Sequence, residues 1–149
     1  MILKNHFMEL ALEKANSAVL ANEVPIGAVI VLDGQVVSSA HNLSLTEYDP
    51  TAHAEIIAIR EAAHVLGSVR LEKCDLYVTL EPCPMCAQAI SYARIRRLYF
   101  GASDFKGGAV ENGPRLYNQA TCFHRPEIFA GIMSDECSNI LKKFFQAKR

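Results

Sequence analysis

The order of the apolar segments leaves this chain few folds to choose from. Two short runs, "IGAVIVL" (26–32) and "QVVSSA" (35–40), flank Asp33-Gly34, a two-residue signal for a tight β-hairpin. Alternation follows. "HAEIIAIREAAHVL" has helical spacing up to a stop at Gly67, and "DLYVTL" (75–80) reads as a buried strand. Pro84 opens a helix to about Arg94, "RRLYFGA" (96–102) is another strand, and "PEIFAGI" (126–132) supplies the last. Residues 3–21 form an amphipathic helix through Phe7, Met8, Ala11, Ala15, Ala18 and Val19. The closing helix, 134–149, carries acids in its first turn and bases in its last, as the helix dipole favours. A hairpin followed by alternating helices and strands implies an α/β fold with three layers, α/β/α, around a central five-stranded mixed sheet. Two loops stand out. In "LSLTEYDP" (43–50), Asp49 followed by Pro50 marks the start of the next helix. Residues 103–118, with three glycines and a proline, form a loop carrying a short helix.

A chain of 149 residues can bury a sufficient core as one domain, 1–149, without disulfide staples. Its start, "MILKNHFMEL", is broken by Lys4, Asn5 and His6 and reads as neither signal peptide nor anchor. The longest apolar run, 26–32, is far too short to span a bilayer, so no membrane partner is expected. A cytoplasmic, reducing setting follows, in which the five cysteines serve metal binding more readily than bridging. The formal charge of −1 conceals an asymmetry. Residues 1–87 hold 5 Lys/Arg and 11 Asp/Glu, whereas 88–149 hold 10 and 5. Such a split marks either a nucleic-acid face or a surface whose charges mix in three dimensions.

"EPCPMC", Glu81 to Cys86, sets two thiols three residues apart where a strand hands over to a helix. The N–H groups of that helix tip favour the thiolates that metal binding needs. Two sulfurs do not complete a zinc site, and the chain offers His6, His41, His53, His64 and His124 as further donors. His53 fits best, because it too lies at the start of a helix following a loop. Glu55 is two residues on. Positions two apart diverge by about 200° in mid-helix, so both address one site only if that site lies off the N-terminal tip, as Pro50 predicts. Three ligands, His53, Cys83 and Cys86, leave the fourth tetrahedral position open for water, as in a catalytic zinc, and Glu55 is free to carry protons. Cys74, Cys122 and Cys137 lack ligand spacing and read as ordinary core or surface residues. His64 reads as a helix-surface residue, and His124 beside Arg125 as a phosphate contact or a plain surface pair.

The H-x-E…P-C-x-x-C pattern is that of zinc-dependent deaminases. Together with "VPIGAVIV", "DPTAHAEIIAIR", "LYVTLEPCPMCAQAI", "YARIRRLYFGA" and "DECSNILKKFF", it resembles the bacterial tRNA-specific adenosine deaminase family, within the cytidine deaminase-like superfamily. The resemblance spans nearly the whole chain. It implies a cytidine deaminase-like fold, one Zn2+ per subunit, a homodimer, and inosine formation at the wobble position in a tRNA anticodon loop. It also implies that Asn42 and Ala54 face the target base, and that Asp104 and Lys106, matching a D-x-K motif, touch RNA. "SDFKGGAVENGPRLYNQATCFHRPEI" departs from the family's commoner Ala/Ser-rich stretch. Two rivals stand beside this reading: a deaminase of a free base or nucleoside of the guanine or cytosine type, and a non-catalytic zinc-stabilised RNA-binding module. Glu55 has no use in the module. The basic second half and the terminal "KKFFQAKR" exceed what a small nucleoside needs.

Overall fold

The computed structural model describes residues 2–148. Its elements are α1 (Ile2–Leu20), β1 (Gly27–Leu32), β2 (Gln35–His41), α2 (Ala54–Leu66), β3 (Cys74–Leu80), α3 (Pro84–Ala93), β4 (Arg97–Ala102), a 3-10 turn (Leu116–Asn118), β5 (Glu127–Phe129) and α4 (Ser134–Ala147). The five strands form one sheet in the order β2-β1-β3-β4-β5. β1 is antiparallel to both β2 and β3, while β3, β4 and β5 are parallel, so the sheet is mixed.

Strand alternation sorts the core into two layers. Ala28, Ile30, Leu76, Val78, Leu98 and Phe100 pack with Ala58 and Ala62 of α2 and Ala87 and Ile90 of α3. Val29, Val31, Tyr77 and Tyr99 pack on the other side with Phe7, Met8 and Ala11 of α1 and Cys137 of α4. On that second face Tyr77 stacks on Tyr99 at 4.3 Å between ring centroids, and Tyr99 on Phe129 at 4.7 Å, tying the parallel strands together. Gly27 lets α1 lie directly on β1, because a Cβ there would collide with the Ala11 carbonyl. The hairpin turns on Asp33 and Gly34, both at positive φ (50° and 77°), the conformation of a type I′ turn.

Three boundaries and the exposure of one residue differ from the sequence reading. Helix α2 starts at Ala54 rather than Pro50, because Asp49 Oδ1 accepts hydrogen bonds from Thr51 N and Oγ1 at 2.8 and 2.7 Å and closes a turn instead. The last strand is only Glu127–Phe129, since Gly131, at φ 78°, turns the chain away and Ile132 N bonds to Phe100 O at 3.1 Å. Helix α4 keeps Asp135 and Glu136 in its first turn but ends at Ala147, so its last turn carries no base and Lys148 is its cap. Val19 sits at the rim of the α1 stripe and is half exposed.

Candidate metal centre and active site

Two helix tips meet at one point. His53 is the residue before α2 and Cys83 the residue before α3, both in extended conformation, with Pro84 fixing the first turn of α3. Cys86 follows one turn into α3 and is fully buried. His53 Nδ1 lies 3.6 Å from Cys83 Sγ and 3.5 Å from Cys86 Sγ, and the three donor atoms are all within 4.8 Å of one another. A tetrahedral ion about 2.3 Å from sulfur and about 2.05 Å from nitrogen would separate those donors by roughly 3.6 Å. The cluster therefore already has the spacing of a zinc site, and its soft donors match zinc rather than magnesium or calcium. Among the described residues no fourth His, Cys, Asp or Glu joins it.

The electrostatics prepare the thiols. A hydrogen bond from the Cys86 thiol, opposed by burial and helped by the N–H groups of Cys86 and Met85 and by His53, lowers Cys83 to about 5. Cys86 is pushed up, by its bond to Cys83, by burial and by Glu55. One thiolate is thus preformed, and a dication would displace the second proton. Glu55, almost fully buried in the first turn of α2, is raised by burial and by the charge of Cys83, against its own N–H and His53. A carboxyl held in this way can keep a proton near neutral pH.

Asn42 and Ala54 are buried at the same tip. Asn42 Oδ1 accepts the Ala54 N–H at 2.9 Å, and Asn42 N donates to Ile26 O at 3.2 Å, so the end of β2 anchors the start of α2. Asp104 and Lys106 are not drawn into the donor cluster. Asp104 Oδ1 accepts from Lys106 N and Gly107 N at 3.1 and 2.9 Å, and both residues line an open groove of about 760 Å³ with Val24, Leu80, Phe145 and Lys148. His124 is no free surface residue: its Nε2 donates to Ile95 O at 2.7 Å. Cys74, Cys122 and Cys137 are buried free thiols.

The residue that sequence reading passed over is Glu81. Its side chain is 2 % exposed and accepts from Asp104 N, Val110 N, Glu111 N, Asn112 N and Asn112 Nδ2 at 2.7–3.1 Å. The only hint in the sequence is a carboxylate at the end of an apolar strand, where a plain surface residue would look the same.

Residues 1–102 match the model of the cytidine and deoxycytidylate deaminase zinc-binding region, which takes in His53, Glu55, Cys83 and Cys86. The chain is 57 % identical over 146 residues to the tRNA-specific adenosine deaminase of Agrobacterium fabrum, covering 98 % of this chain and 96 % of that one. It belongs to the tRNA-specific adenosine deaminase family. A solved structure from work on A-to-I editing by tRNA:A34 deaminases superposes with a TM-score of 0.90 at 58 % identity, over 91 % of this chain and 99 % of that one. A guanine deaminase from Bacillus subtilis is also similar, at TM-score 0.65 and 34 % identity over 97 % and 92 % of the two chains. Membership in the family makes the chain a hydrolytic deaminase, and the family's zinc-binding region agrees with the donor set in calling for one zinc per chain.

Proposed function

We propose that this chain hydrolyses adenosine to inosine at the wobble position of tRNA, with His53, Cys83 and Cys86 holding zinc and Glu55 carrying protons. The observation behind the reading is a buried carboxyl, Glu55, beside a three-donor cluster that no fourth protein donor completes among the described residues. The substrate class comes from relatives similar over their whole length.

Zinc bound at the cluster supplies the Lewis acidity that makes water a nucleophile near neutral pH. The chain's own residues manage the protons. The Glu55 carboxylate takes one from the attacking water and gives it to the ring nitrogen next to C6; it then takes the second proton from the hydroxyl now attached to C6 and delivers it to the departing amine. Ammonia leaves and a carbonyl remains at C6. A carboxyl that must hold a proton between steps works best with a raised pKa, and burial of Glu55 supports that. Asn42 and Ala54 present the α2 tip to the base, which must come from a loop or be flipped out to expose C6.

For the RNA, Asp104 and Lys106 lie on a groove that also holds Phe145 and Lys148 of the C-terminal segment, with Phe105 exposed between them. Cations and exposed rings together suit the phosphates and splayed bases of an anticodon loop. The working form in this reading is a cytoplasmic homodimer. Exposed Tyr92, which interrupts buried Ser91 and Ala93 on α3, supports an interface there.

The similarity to a guanine deaminase keeps free bases as a second reading. Incubation of the protein with bulk tRNA, and separately with free nucleosides and bases, separates the two. Inosine in the tRNA and no xanthine from guanine is the expected outcome. Xanthine without inosine would transfer the assignment to the free base.

A further inference from the structure

Glu81 is buried at the end of β3, two residues before Cys83, and ion pairs among the described residues do not include it. Its charge is met entirely by five N–H donors, and every one comes from residues 104–112. Oε1 takes Asp104 N at 3.0 Å and Asn112 Nδ2 at 2.7 Å. Oε2 takes Val110 N, Glu111 N and Asn112 N at 3.1, 2.9 and 3.0 Å. The loop is wrapped closely around the carboxylate: a Cβ at Gly108 would lie 2.5 Å from the Glu81 carboxyl carbon. A further bond, Ala109 N to Pro82 O at 2.9 Å, ties the loop to the residue between Glu81 and Cys83. This segment carries Asp104, Phe105 and Lys106, and no helix or strand lies within it.

We infer that Glu81 is a positioning residue for the substrate: it fixes the 104–112 loop in register with the Cys83–Cys86 helix tip, so that RNA held by the loop is aligned with the metal centre. The carboxylate acts through the loop and touches neither metal nor base. A carboxylate is required because both oxygens face only donors. In Glu81→Gln, whichever way the amide turns, an NH2 must confront N–H groups that have lost their acceptor. The inference rests on the proposed tRNA reading for its kinetic part, and on the structure alone for the loop.

Three measurements on the zinc-loaded full chain test it. Amide hydrogen exchange at 104, 110, 111 and 112 is expected to speed up about tenfold or more in Glu81→Gln, the scale of losing charge-assisted hydrogen bonds. Zinc content should stay at one per chain. With tRNA, KM should rise about tenfold while kcat changes little, because the loop aligns substrate and leaves the protons to Glu55. Should Glu81→Gln fold poorly, Asn112→Ala removes one of the five bonds and should move exchange and KM in the same direction by less. Unchanged exchange at the four amides overturns the inference, as does loss of zinc, or a fall in kcat at constant KM. A wild-type protein that makes no inosine would sink the tRNA reading instead, and would leave the exchange result standing as the test of the loop.

Discussion

In the proposed mechanism His53, Cys83 and Cys86 do different work from Glu55, and substitution separates them. The Cys83 thiol is lowered to about 5 by the Cys86 thiol and the helix-tip N–H groups, so its removal takes away both a donor and a site of negative charge. Cys83→Ala should therefore lose stoichiometric zinc, measured by metal analysis, together with activity; a protein that kept one tightly held zinc would contradict its place in the ligand set. The donor set could be read from the sequence because each member sits at a helix start marked by a loop or a proline, which is a local signal. Glu81 could not be read in that way. Four of its five partners are main-chain N–H groups 23 to 31 residues away, and main-chain donors leave no trace in residue type. The sequence also suggested that the helix holding His53 began at Pro50, and the Asp49–Thr51 turn shows why it does not. His53 nonetheless ends up at a tip, because Asn42 caps the helix at Ala54.

Loops on either side of the helix tips are each pinned by a buried glutamate. Glu81 holds 104–112, and Glu23 holds the loop after β2, accepting from Leu45 N at 3.2 Å and from Thr46 N and Oγ1 at 2.6 Å each. Burial alone would raise the Glu23 pKa, but the hydrogen bonds from Thr46 and Leu45 and the nearby His41 outweigh it and hold it below the ordinary carboxylate value. A folded-state pKa below the unfolded one means the carboxylate stabilises the fold above the unfolded value, near 4.3, and that this contribution disappears as pH falls through the lower folded value. Glu23→Gln should cost about 1–3 kcal/mol at pH 7, and the gap from wild type should narrow as pH falls through the lowered folded-state pKa in denaturant titrations. A gap independent of pH would mean that shape, and not charge, holds this loop. Regular elements were legible from periodicity and turn chemistry, as the Asp33-Gly34 hairpin illustrates. The short β5 was overread because a run of apolar residues continues past the point where Gly131 turns the chain.

The charge asymmetry along the chain acquires a location once the fold is known. Lys142, Lys143 and Lys148 lie on or just after α4, and Lys106 lies on the loop that shares a groove with Lys148 and Phe145. If about three cations contact phosphates of a single-stranded loop, affinity should fall roughly 20-fold between 50 and 200 mM salt. Turnover of a neutral free base would hardly respond over the same range. Steady-state KM for tRNA across that salt range is the check, and a flat profile would argue that the groove does not meet RNA.

The decisive measurement pairs two readings on one sample: zinc content and inosine formed in tRNA, for wild type and Glu55→Gln. Acid–base groups commonly contribute about 10²–10⁴-fold, so the variant should retain one zinc per chain and lose nearly all turnover. A Glu55→Gln protein with full zinc and near-normal inosine formation would contradict the claim that this buried carboxyl moves the protons.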